Sequence, residues 1–571
     1  MPSPEEYDRI MTRRILWKLD CYILPPLAVL WLANFIDRSN VGNARIAGLE
    51  RDAHLQGNQF NAALAVFYVT YLVVEIPSNI VLKKMKANRW IPLLVFLWGV
   101  VTTLTSLVNS YGGLIAIRLC LGLCEGGLLP GMILYLSTVY RRHEFQLRVG
   151  IFYASGGHNY LVILQDTQTH SPGQHLFLEH LEALNYFIRK SGVYLTISLF
   201  SGLLATAITK MEGVGGLAGW RWIYILEGLA TIVASIIAAL VLPADISSAK
   251  FLSAEERSFA LKRLRAGDIT ITSGMSPELQ PRSPGSVITE KDKESRLEVK
   301  ADSPASIASP DEEDAPEPFE IREIIRGLID IQTWLTGIAY LGLVATSDYA
   351  NDKYGRPTIV TGLGYSGGAA QLHTVPPYVP AVVLTVIVAI LSDRLKWRGP
   401  FILICLPLTV IGYIVAITAK TNGTRYIAVF FMAAGVYPSG PCILSILPNN
   451  SSGHYKKATT TAFQLAIANT GGFIATFVYT KGQLPASALL VELKASADQA
   501  PKYIRGHSIV LAFVILSWLL IAANVSYCMW ENKARREGRR QRNLELYQQM
   551  WDSGKTRAPI GDRHPQFLFT L

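Results

Sequence analysis

Long apolar stretches recur along the whole chain and restrict the folds open to it. Stretches of roughly 18 or more residues are long enough to cross the ~30 Å hydrocarbon core of a bilayer as helices. They lie at about 21–36, 60–82, 91–108, 114–139 and 222–242, and again at 324–345, 379–391, 401–417, 426–447, 460–479 and 507–529. Because backbone polar groups have no water partners in lipid, such segments must be helical. The sequence therefore predicts an all-α membrane protein.

Composition agrees with this prediction. Charged residues make up 17% of the 571 residues, apolar residues make up 50%, and the mean hydropathy is +0.27. Soluble proteins carry about a quarter charged residues. Residues 1–20 are polar and contain no apolar region typical of a cleavable signal, so the first membrane helix is expected to direct insertion. Five of the six cysteines lie in apolar runs and are interpreted as small buried residues rather than disulfides or metal ligands; they are Cys120, Cys124, Cys405, Cys442 and Cys528.

A polar stretch divides the apolar segments into two groups. Each group has six members when the irregular segment after Arg148 is counted as the fifth of the first group. Residues 243–320 are rich in Ser, Pro, Glu, Asp and Lys and contain too few apolar residues to fold alone, so they are predicted to form a disordered linker. The predicted organisation is a six-helix bundle at 1–242, the linker at 243–320, a second six-helix bundle at 321–530, and a tail at 531–571. This is a fold of twelve membrane helices.

Lysine and arginine clusters predict the orientation. They occur at 83–90, 140–148, 392–399 and 454–457, in the linker and in the tail, whereas the loops between them are poorer in basic residues. Cytoplasmic loops carry the excess of Lys and Arg, which places both termini and the linker in the cytoplasm. The same rule accounts for the net charge of +10. A nucleic-acid interface is excluded, because no basic surface interleaved with exposed aromatic residues is present.

Ionisable residues inside membrane helices are costly and mark candidate sites. Those of the first bundle are Asp37, Arg38, Glu75, Arg118, Glu125 and Glu227. Arg118 and Glu125 are seven residues apart, so they share one helix face at a separation of about 10 Å. A buried arginine binds a carboxylate in a bidentate manner, and a carboxylate beside it can exchange a proton, which together indicate a proton-coupled anion site.

The alternative is that these charges only hold helices together. We favour that interpretation for Glu75 and Glu227, favour a functional role for Arg118 and Glu125, and leave Asp37 and Arg38 open. Neutral side chains could add hydrogen bonds to a substrate, or could simply pack; these are Tyr68, Tyr71, Tyr437, Gln464 and Asn469. Glycine-rich segments at 121–131, 435–442 and 467–473 are typical of close helix packing and of transporter sites.

Five segments resemble one known family. They are FIDRSNVGNARIAGL, RLCLGLCEGGLLPGM, GWRWIYILEGLAT, LHTVPPYVPAVVLTVIVAILSDRLKWRGP and LPNNSSGHYKKATTTAFQLAIANTGGF. They are similar to the anion:cation symporters of the major facilitator superfamily, and more closely to the fungal allantoate and nicotinate permease branch. The resemblance implies alternating access between two bundles around a centrally bound anion. It also implies a monomer in the plasma membrane, with a small organic anion, protons and lipid as its partners and with no cofactor or metal.

The resemblance also implies roles for individual residues. Arg38 would contact the substrate carboxylate, and Tyr71 would line the site. Asp37 and Glu125 would take protons, and Arg118 would pair with Glu125. Asn469 is kept as a candidate for a neutral hydrogen bond to the substrate.

Three stretches depart from the family pattern. Residues 156–198 replace an expected glycine- and alanine-rich fifth helix with a polar segment, 346–356 interrupt the seventh helix, and 482–497 look inserted. The fifth and seventh helices are therefore expected to be disrupted, and no site residue is assigned to them. We interpret these stretches as translated intron or misjoined exon sequence rather than genuine insertions, because two of the three strike helices.

The main prediction is a secondary active transporter that takes up a small carboxylate, such as nicotinate or allantoate, together with protons. Two alternatives share the fold, namely an exporter of a secondary metabolite and a nutrient receptor that does not transport. An enzyme is not expected, because no nucleophile–base pair, metal-ligand spacing or phosphate-binding loop occurs. The sequence does not specify which anion is carried.

Overall fold

The computed structural model describes residues 3–57, 59–155, 211–267, 318–351, 367–478 and 504–571. Within these ranges the chain is helical and contains no β-strand. Of the three stretches that depart from the family pattern, 156–198 and 482–497 lie outside the described residues. So do residues 352–356 of the stretch at 346–356. Residues 346–351 continue a helix.

Most helices of the N-terminal part match the predicted apolar segments and extend several of them, whereas those at 142–155 and 254–267 lie outside these segments. These are α1 (Pro4–Ala44), α2 (Gln59–Met85), α3 (Ala87–Thr105), α4 (Tyr111–Glu125), α5 (Leu128–Val139), α6 (Arg142–Ser155), α7 (Gly219–Val241) and α8 (Ala254–Gly267). Helices α4 and α5 form one apolar span, which breaks at Gly126 and Gly127.

The C-terminal part follows the same plan. Its helices are α9 (Ile321–Ile329), α10 (Ile331–Asn351), α11 (Gly367–Leu395), α12 (Gly399–Thr418), α13 (Asn422–Asn450), α14 (His454–Val478), α15 (Ile504–Arg536) and α16 (Arg542–Asp552). Helices α9 and α10 meet at a bend of 56°.

Among the described residues, eight helices are long and apolar enough to cross a membrane, counting α4 and α5 as one span. The bent pair of α9 and α10 raises the number to nine if it forms one span. The all-α membrane fold predicted from the sequence is thereby confirmed.

Glycines bring α4 against α2 at the centre of the first bundle. A Cβ atom on Gly122 would lie 2.4 Å from the carbonyl oxygen of Phe67, and one on Gly126 would lie 2.5 Å from that of Tyr71. No real side chain tolerates such contacts, so only glycine permits this helix separation. The predicted use of this glycine-rich segment for close helix approach is confirmed. The packing sets the face of α2 that carries Phe67 and Tyr71 directly against α4.

Polar contacts join the two halves between α2 and α14 and between α6 and both α11 and α13. The Asn79 side chain donates a hydrogen bond to the carbonyl oxygen of Ala458 at 3.1 Å. The Gln146 side-chain oxygen accepts hydrogen bonds from Ser392 at 2.7 Å and from Ser445 at 3.2 Å, all with buried side chains. These contacts hold the halves together at one end of the molecule.

The first part of the predicted disordered linker is ordered. Ser253 and Glu256 exchange side-chain-to-backbone hydrogen bonds of 2.8 and 3.2 Å at the start of α8, which is a capping box. The same Glu256 carboxylate pairs with Lys18 at 2.6 Å and with Arg14 at 2.8 Å on α1. The prediction was therefore wrong for 254–267, because a cap and two ion pairs supply what the low apolar content could not.

The tail packs on the end of the C-terminal half instead of leaving it. Asn532 exchanges two hydrogen bonds of 2.8 Å with the backbone of Phe569, and Asn450 accepts two of 2.8 Å from Thr570. Gly561 has a φ of +64°, which favours glycine, and packs against Ser452. The tail is thus an ordered part of the fold.

Asp562 is the buried anchor of the tail. Its carboxylate accepts hydrogen bonds from Lys456 at 2.7 Å and from Arg326 at 3.2 Å. Burial raises the pKa of Asp562, but the charges of Lys456 and Arg326 outweigh burial and hold that pKa below its ordinary value. The carboxylate is therefore ionised at neutral pH, and its contribution to stability is lost only as the pH falls through that lowered pKa.

We expect Asp562→Ala to loosen the tail. The substitution removes the shared acidic partner of the buried Lys456 and the largely buried Arg326, and it should cost about 3 kcal/mol. The measurements are the thermal unfolding midpoint of the purified protein and the rate of tryptic cleavage after Lys555 and Arg557. The control is Asp552→Ala, since that carboxylate lies on the exposed side of α16 and contacts Gln548. Equal cleavage rates in both variants would show that Asp562 does not anchor the tail.

Candidate functional site

A buried polar cluster lies where α1 faces the end of α4. Asn34 and Arg38 are one turn apart on α1, so their side chains leave the same face of that helix. Glu125 is the last residue of α4, immediately before the break in the span. Asn34 is 2% exposed and Glu125 is 1% exposed. The fold therefore brings three polar side chains together away from water.

One oxygen of Glu125 receives all three donors from α1. The Arg38 Nε and Nη2 atoms donate hydrogen bonds to Glu125 Oε1 at 2.8 and 2.5 Å, and Asn34 Nδ2 donates to the same oxygen. The second oxygen, Oε2, is buried and has no hydrogen-bond partner among the described residues. Glu125 is thus held by one oxygen, and the other is free to take a proton or a donor from a substrate.

Arg38 also packs against two aromatic rings of α2. Its guanidinium carbon lies 5.6 Å from the ring centroid of Tyr71 and 5.9 Å from that of Phe67. A guanidinium within about 6 Å of an aromatic face is attracted to it. The side chain of Arg38 remains 20% exposed, in contrast to Glu125. Arg38 is therefore positioned by Glu125 and the rings while part of it stays accessible.

Asp37 and Arg118 lie in the same bundle but outside the ion pair. Asp37 is 3% exposed and accepts a hydrogen bond from Thr102 at 3.5 Å. Arg118 is 5% exposed, and its Nε and Nη2 atoms have no hydrogen-bond partner among the described residues. The expected pairing of Arg118 with Glu125 is not found, since Glu125 pairs with Arg38. Because two helical turns separate Arg118 from Glu125, Glu125 pairs with Arg38 of α1 instead.

A further carboxylate adjoins this cluster on α7. Asn40 Nδ2 donates a hydrogen bond to Glu227 Oε2 at 2.9 Å, and Asn43 donates to Asn40 Oδ1 at the same distance. The other oxygen of Glu227 is buried without a partner among the described residues. This part of the first bundle therefore holds the buried carboxylates of Asp37 and Glu125 and the partly buried carboxylate of Glu227.

Asn469 reaches the same region from the C-terminal half. Its Nδ2 atom donates a hydrogen bond of 2.6 Å to Glu75 Oε1, and Glu75 is fully buried. Glu75 follows Tyr71 by one turn of α2, so both lie on one side of that helix. Asn469 thus donates its hydrogen bond to Glu75, which lies one turn of α2 from Tyr71, the ring beside Arg38. Gln464 instead donates to the carbonyl oxygen of Ile443, which is a packing contact.

The structure brings together three of the residues expected from the sequence, Arg38, Glu125 and Tyr71. It places Asp37 and Arg118 in the same bundle and links Asn469 through Glu75. Sequence reasoning missed Asn34. Asn34 lies four residues before Arg38, so the sequence does place both side chains on one face of the helix. It does not show that Glu125 is the partner that they share.

The cluster can exchange ionic partners. A guanidinium held by one carboxylate oxygen and two rings can release that carboxylate in favour of another, because both make the same charge-assisted hydrogen bonds. The buried Arg118 donors offer a second place for an anion in the same bundle. Reversible binding of a small anion is the chemistry that this arrangement suits.

The sequence matches the family profile described as the Major Facilitator Superfamily at residues 27–158 and 189–476. The unmatched residues between these two parts fall within 156–198, the first departure noted above. The chain is 29% identical to a transporter of Schizosaccharomyces pombe, over 92% of this chain and 85% of the relative. It is 28% identical to an MFS-type transporter of Hormonema carpetanum, over 92% of this chain and 87% of that relative.

A high-affinity nicotinic acid transporter of Saccharomyces cerevisiae is 26% identical, over 93% of this chain and 80% of the relative. Among solved structures, the proton:xylose symporter XylE is similar with a TM-score of 0.54 and 12% identity, covering 88% of this chain and 95% of XylE. That likeness concerns the fold alone. With a family match over most of its length and an all-helical fold, the chain belongs to the Major Facilitator Superfamily and is a membrane transporter, not an enzyme.

Proposed function

We propose that the chain is a proton-coupled symporter of the anion:cation symporter branch, which carries a small carboxylate such as nicotinate or allantoate across the plasma membrane. The observation that carries the proposal is the pairing of Arg38 with one oxygen of Glu125. The similarity to the nicotinic acid transporter of Saccharomyces cerevisiae supports the carboxylate class. The residues that make the pair come from the segments that resemble this branch.

Coupling follows from competition for Arg38. While Glu125 is ionised, its Oε1 atom occupies the guanidinium. A proton on the free Oε2 atom removes the charge of Glu125 and weakens that pairing, so Arg38 becomes available to a substrate carboxylate. A proton and a monovalent anion then enter together. The net charge of the buried site is unchanged, which avoids the cost of burying an uncompensated ion.

Neighbouring residues adjust the same site. Tyr71 and Phe67 confine the Arg38 guanidinium, and they offer aromatic faces to a flat substrate ring. Asp37 is the next carboxylate on α1 and the second candidate to take a proton. Arg118 supplies the positive charge that offsets Asp37 and Glu227 in the bundle.

Alternating access requires that contacts between the halves break. With the lysine- and arginine-rich ends placed in the cytoplasm, the contacts of Gln146 with Ser392 and Ser445 close the cytoplasmic side. Each is a net contribution of about 1 kcal/mol, so a few such bonds close the path without locking it. The Asn469–Glu75 hydrogen bond would have to rearrange when the halves separate.

The function is tested by uptake of a panel of labelled anions, nicotinate and allantoate included, in cells that lack their own permeases. We expect at least one carboxylate to accumulate at acidic external pH and the accumulation to collapse when a protonophore is added. Cells with empty vector give the background. Efflux of a preloaded compound without uptake of any carboxylate would favour the exporter, and neither activity would favour the receptor.

Replacing Arg38 with lysine should reduce that uptake by roughly one to two orders of magnitude. An ammonium group keeps the charge but loses the planar fork that binds a carboxylate with two hydrogen bonds. Initial uptake rate is the measurement, normalised to the protein present at the membrane. Arg9→Lys is the matched control, because Arg9 is exposed in the first turns of α1. Normal uptake by the Arg38 variant would remove Arg38 from the site.

Replacing Glu125 with glutamine should separate coupling from binding. The amide cannot carry the proton, so uphill accumulation driven by pH should be lost, whereas exchange of labelled for unlabelled anion persists because Arg38 is retained. Accumulation and counterflow are measured in the same cells, with Glu50→Gln as the control at a partly exposed position outside the site. Accumulation that still follows the pH gradient would assign the proton to another group, with Asp37 next.

A further inference from the structure

A cavity of about 840 Å³ opens between α9, the end of α15, α16 and the tail, at the end of the molecule far from Arg38. Its walls combine exposed apolar side chains with a cluster of charges. Apolar contributions come from Ile325, Ile329 and Trp530. The transport site proposed above does not use any residue of this cavity.

The lining charges do not balance. Six basic side chains line the cavity: Arg322, Arg326, Lys456, Arg535, Arg540 and Arg563. Four acidic side chains line it as well: Glu323, Asp330, Glu531 and Asp562. The lining therefore has an excess of two positive charges.

Every one of those acids is already engaged by a basic residue of the cavity. Glu323 pairs with Arg326 at 2.7 Å, Asp330 with Lys456 at 2.5 Å and Asp562 with Lys456 at 2.7 Å. Glu531 pairs with two arginines, at 3.1 and 2.6 Å. The cavity thus has no acid left over for its two remaining cations.

Those two cations are Arg322 and Arg563. Neither forms an ion pair with an acidic side chain among the described residues. The Arg322 guanidinium contacts the sulfur of Met550 at 2.7 Å. Partial burial lowers the pKa of Arg563, and the positive charges of Arg326 and Arg322 lower it further. Asp562 and Glu323 act in the opposite direction but do not outweigh burial and the two arginines.

The side chains beside the cavity are of the kinds found at a membrane surface. Ile321, Ile325 and Ile329 recur every fourth residue of α9, and they are 64%, 49% and 72% exposed, so they form one apolar stripe. Trp530, which is 53% exposed, precedes the charged end of α15, where membrane proteins place aromatic residues at the interface. A short helix with an apolar stripe beside arginines is typical of a helix lying in the headgroup region.

We propose that this cavity binds the phosphate headgroup of an anionic phospholipid from the leaflet in which α9 lies. Arg322 and Arg563 bind the phosphate, since arginine matches its geometry with paired hydrogen bonds. The acyl chains leave past Ile325, Ile329 and Trp530 into the bilayer. A free phosphate ester would satisfy the two arginines but would leave the apolar stripe uncovered, which is why the lipid is favoured.

Such a lipid would tie the tail to α9, because Arg563 belongs to the tail and Arg322 to α9. Asp562, the buried anchor of the tail, already pairs with Arg326 of α9. The lipid would therefore stabilise the packed tail. This consequence does not depend on which substrate the protein transports.

The test is a titration of the full-length, delipidated protein in detergent with dioctanoyl phosphatidylinositol, followed by native mass spectrometry. We expect the first bound lipid to lose affinity on the order of tenfold or more in Arg322→Gln/Arg563→Gln. The matched control is Arg536→Gln/Arg542→Gln, which removes the same charge from exposed positions outside the cavity. The single variant Arg563→Gln, on an exposed side chain, serves if the double variant unfolds, and should show part of the loss.

Two further probes distinguish the sources of phosphate. Dioctanoyl phosphatidylcholine should bind the unmodified protein more weakly, because its headgroup has no net charge, and inorganic phosphate should not displace the bound phosphatidylinositol at equal concentration. An equal loss of affinity in the control variant would overturn the proposal, since the effect would then be general electrostatics. Displacement by inorganic phosphate would overturn it in favour of a free anion site.

Discussion

A guanidinium and a carboxylate between two membrane helices must stay in contact while both are charged, and the proposed site depends on this constraint. Removing either charge from water costs several kcal/mol, and the contacts of Arg38 with Glu125 recover that cost only over a short distance. Asn34 adds a third donor to the same oxygen. The pairing therefore fixes where α1 meets the end of α4 and leaves a single free carboxylate oxygen as the point where a proton can act.

Glycine packing between α4 and α2 determines what surrounds that pair. Because Gly122 and Gly126 allow the backbone of α2 to touch α4, Tyr71 and Phe67 reach the guanidinium of Arg38. A larger residue at either glycine would push α2 outward and would separate the rings from the arginine. Helix packing and the shape of the anion site are thus consequences of the same small residues.

Hydrogen bonds join the two halves in addition to the apolar core that they share. Glu75 and Asn469 connect them near the candidate site, and Gln146 connects them towards one end. Hydrogen bonds of modest net energy can exchange partners without a large barrier, so such contacts suit a protein that alternates between two arrangements. The tail and α8 add ion pairs at the end of the molecule where Gln146 lies. Their low apolar content gave no indication that these segments would pack against the bundles.

Hydropathy alone determined the helical membrane fold, because a backbone in lipid has no other way to satisfy its polar groups. The sequence also identified Arg38 and Glu125 as charges inside membrane helices, where charges are rare, and the family resemblance added their expected roles and that of Tyr71. It did not identify Asn34 as the partner of Glu125, and it assigned Glu125 to Arg118 on the same helix. Only the tertiary structure decided these pairings. Spacing along one helix fixes which residues share a face, whereas contacts between helices depend on how the glycines let the helices pack.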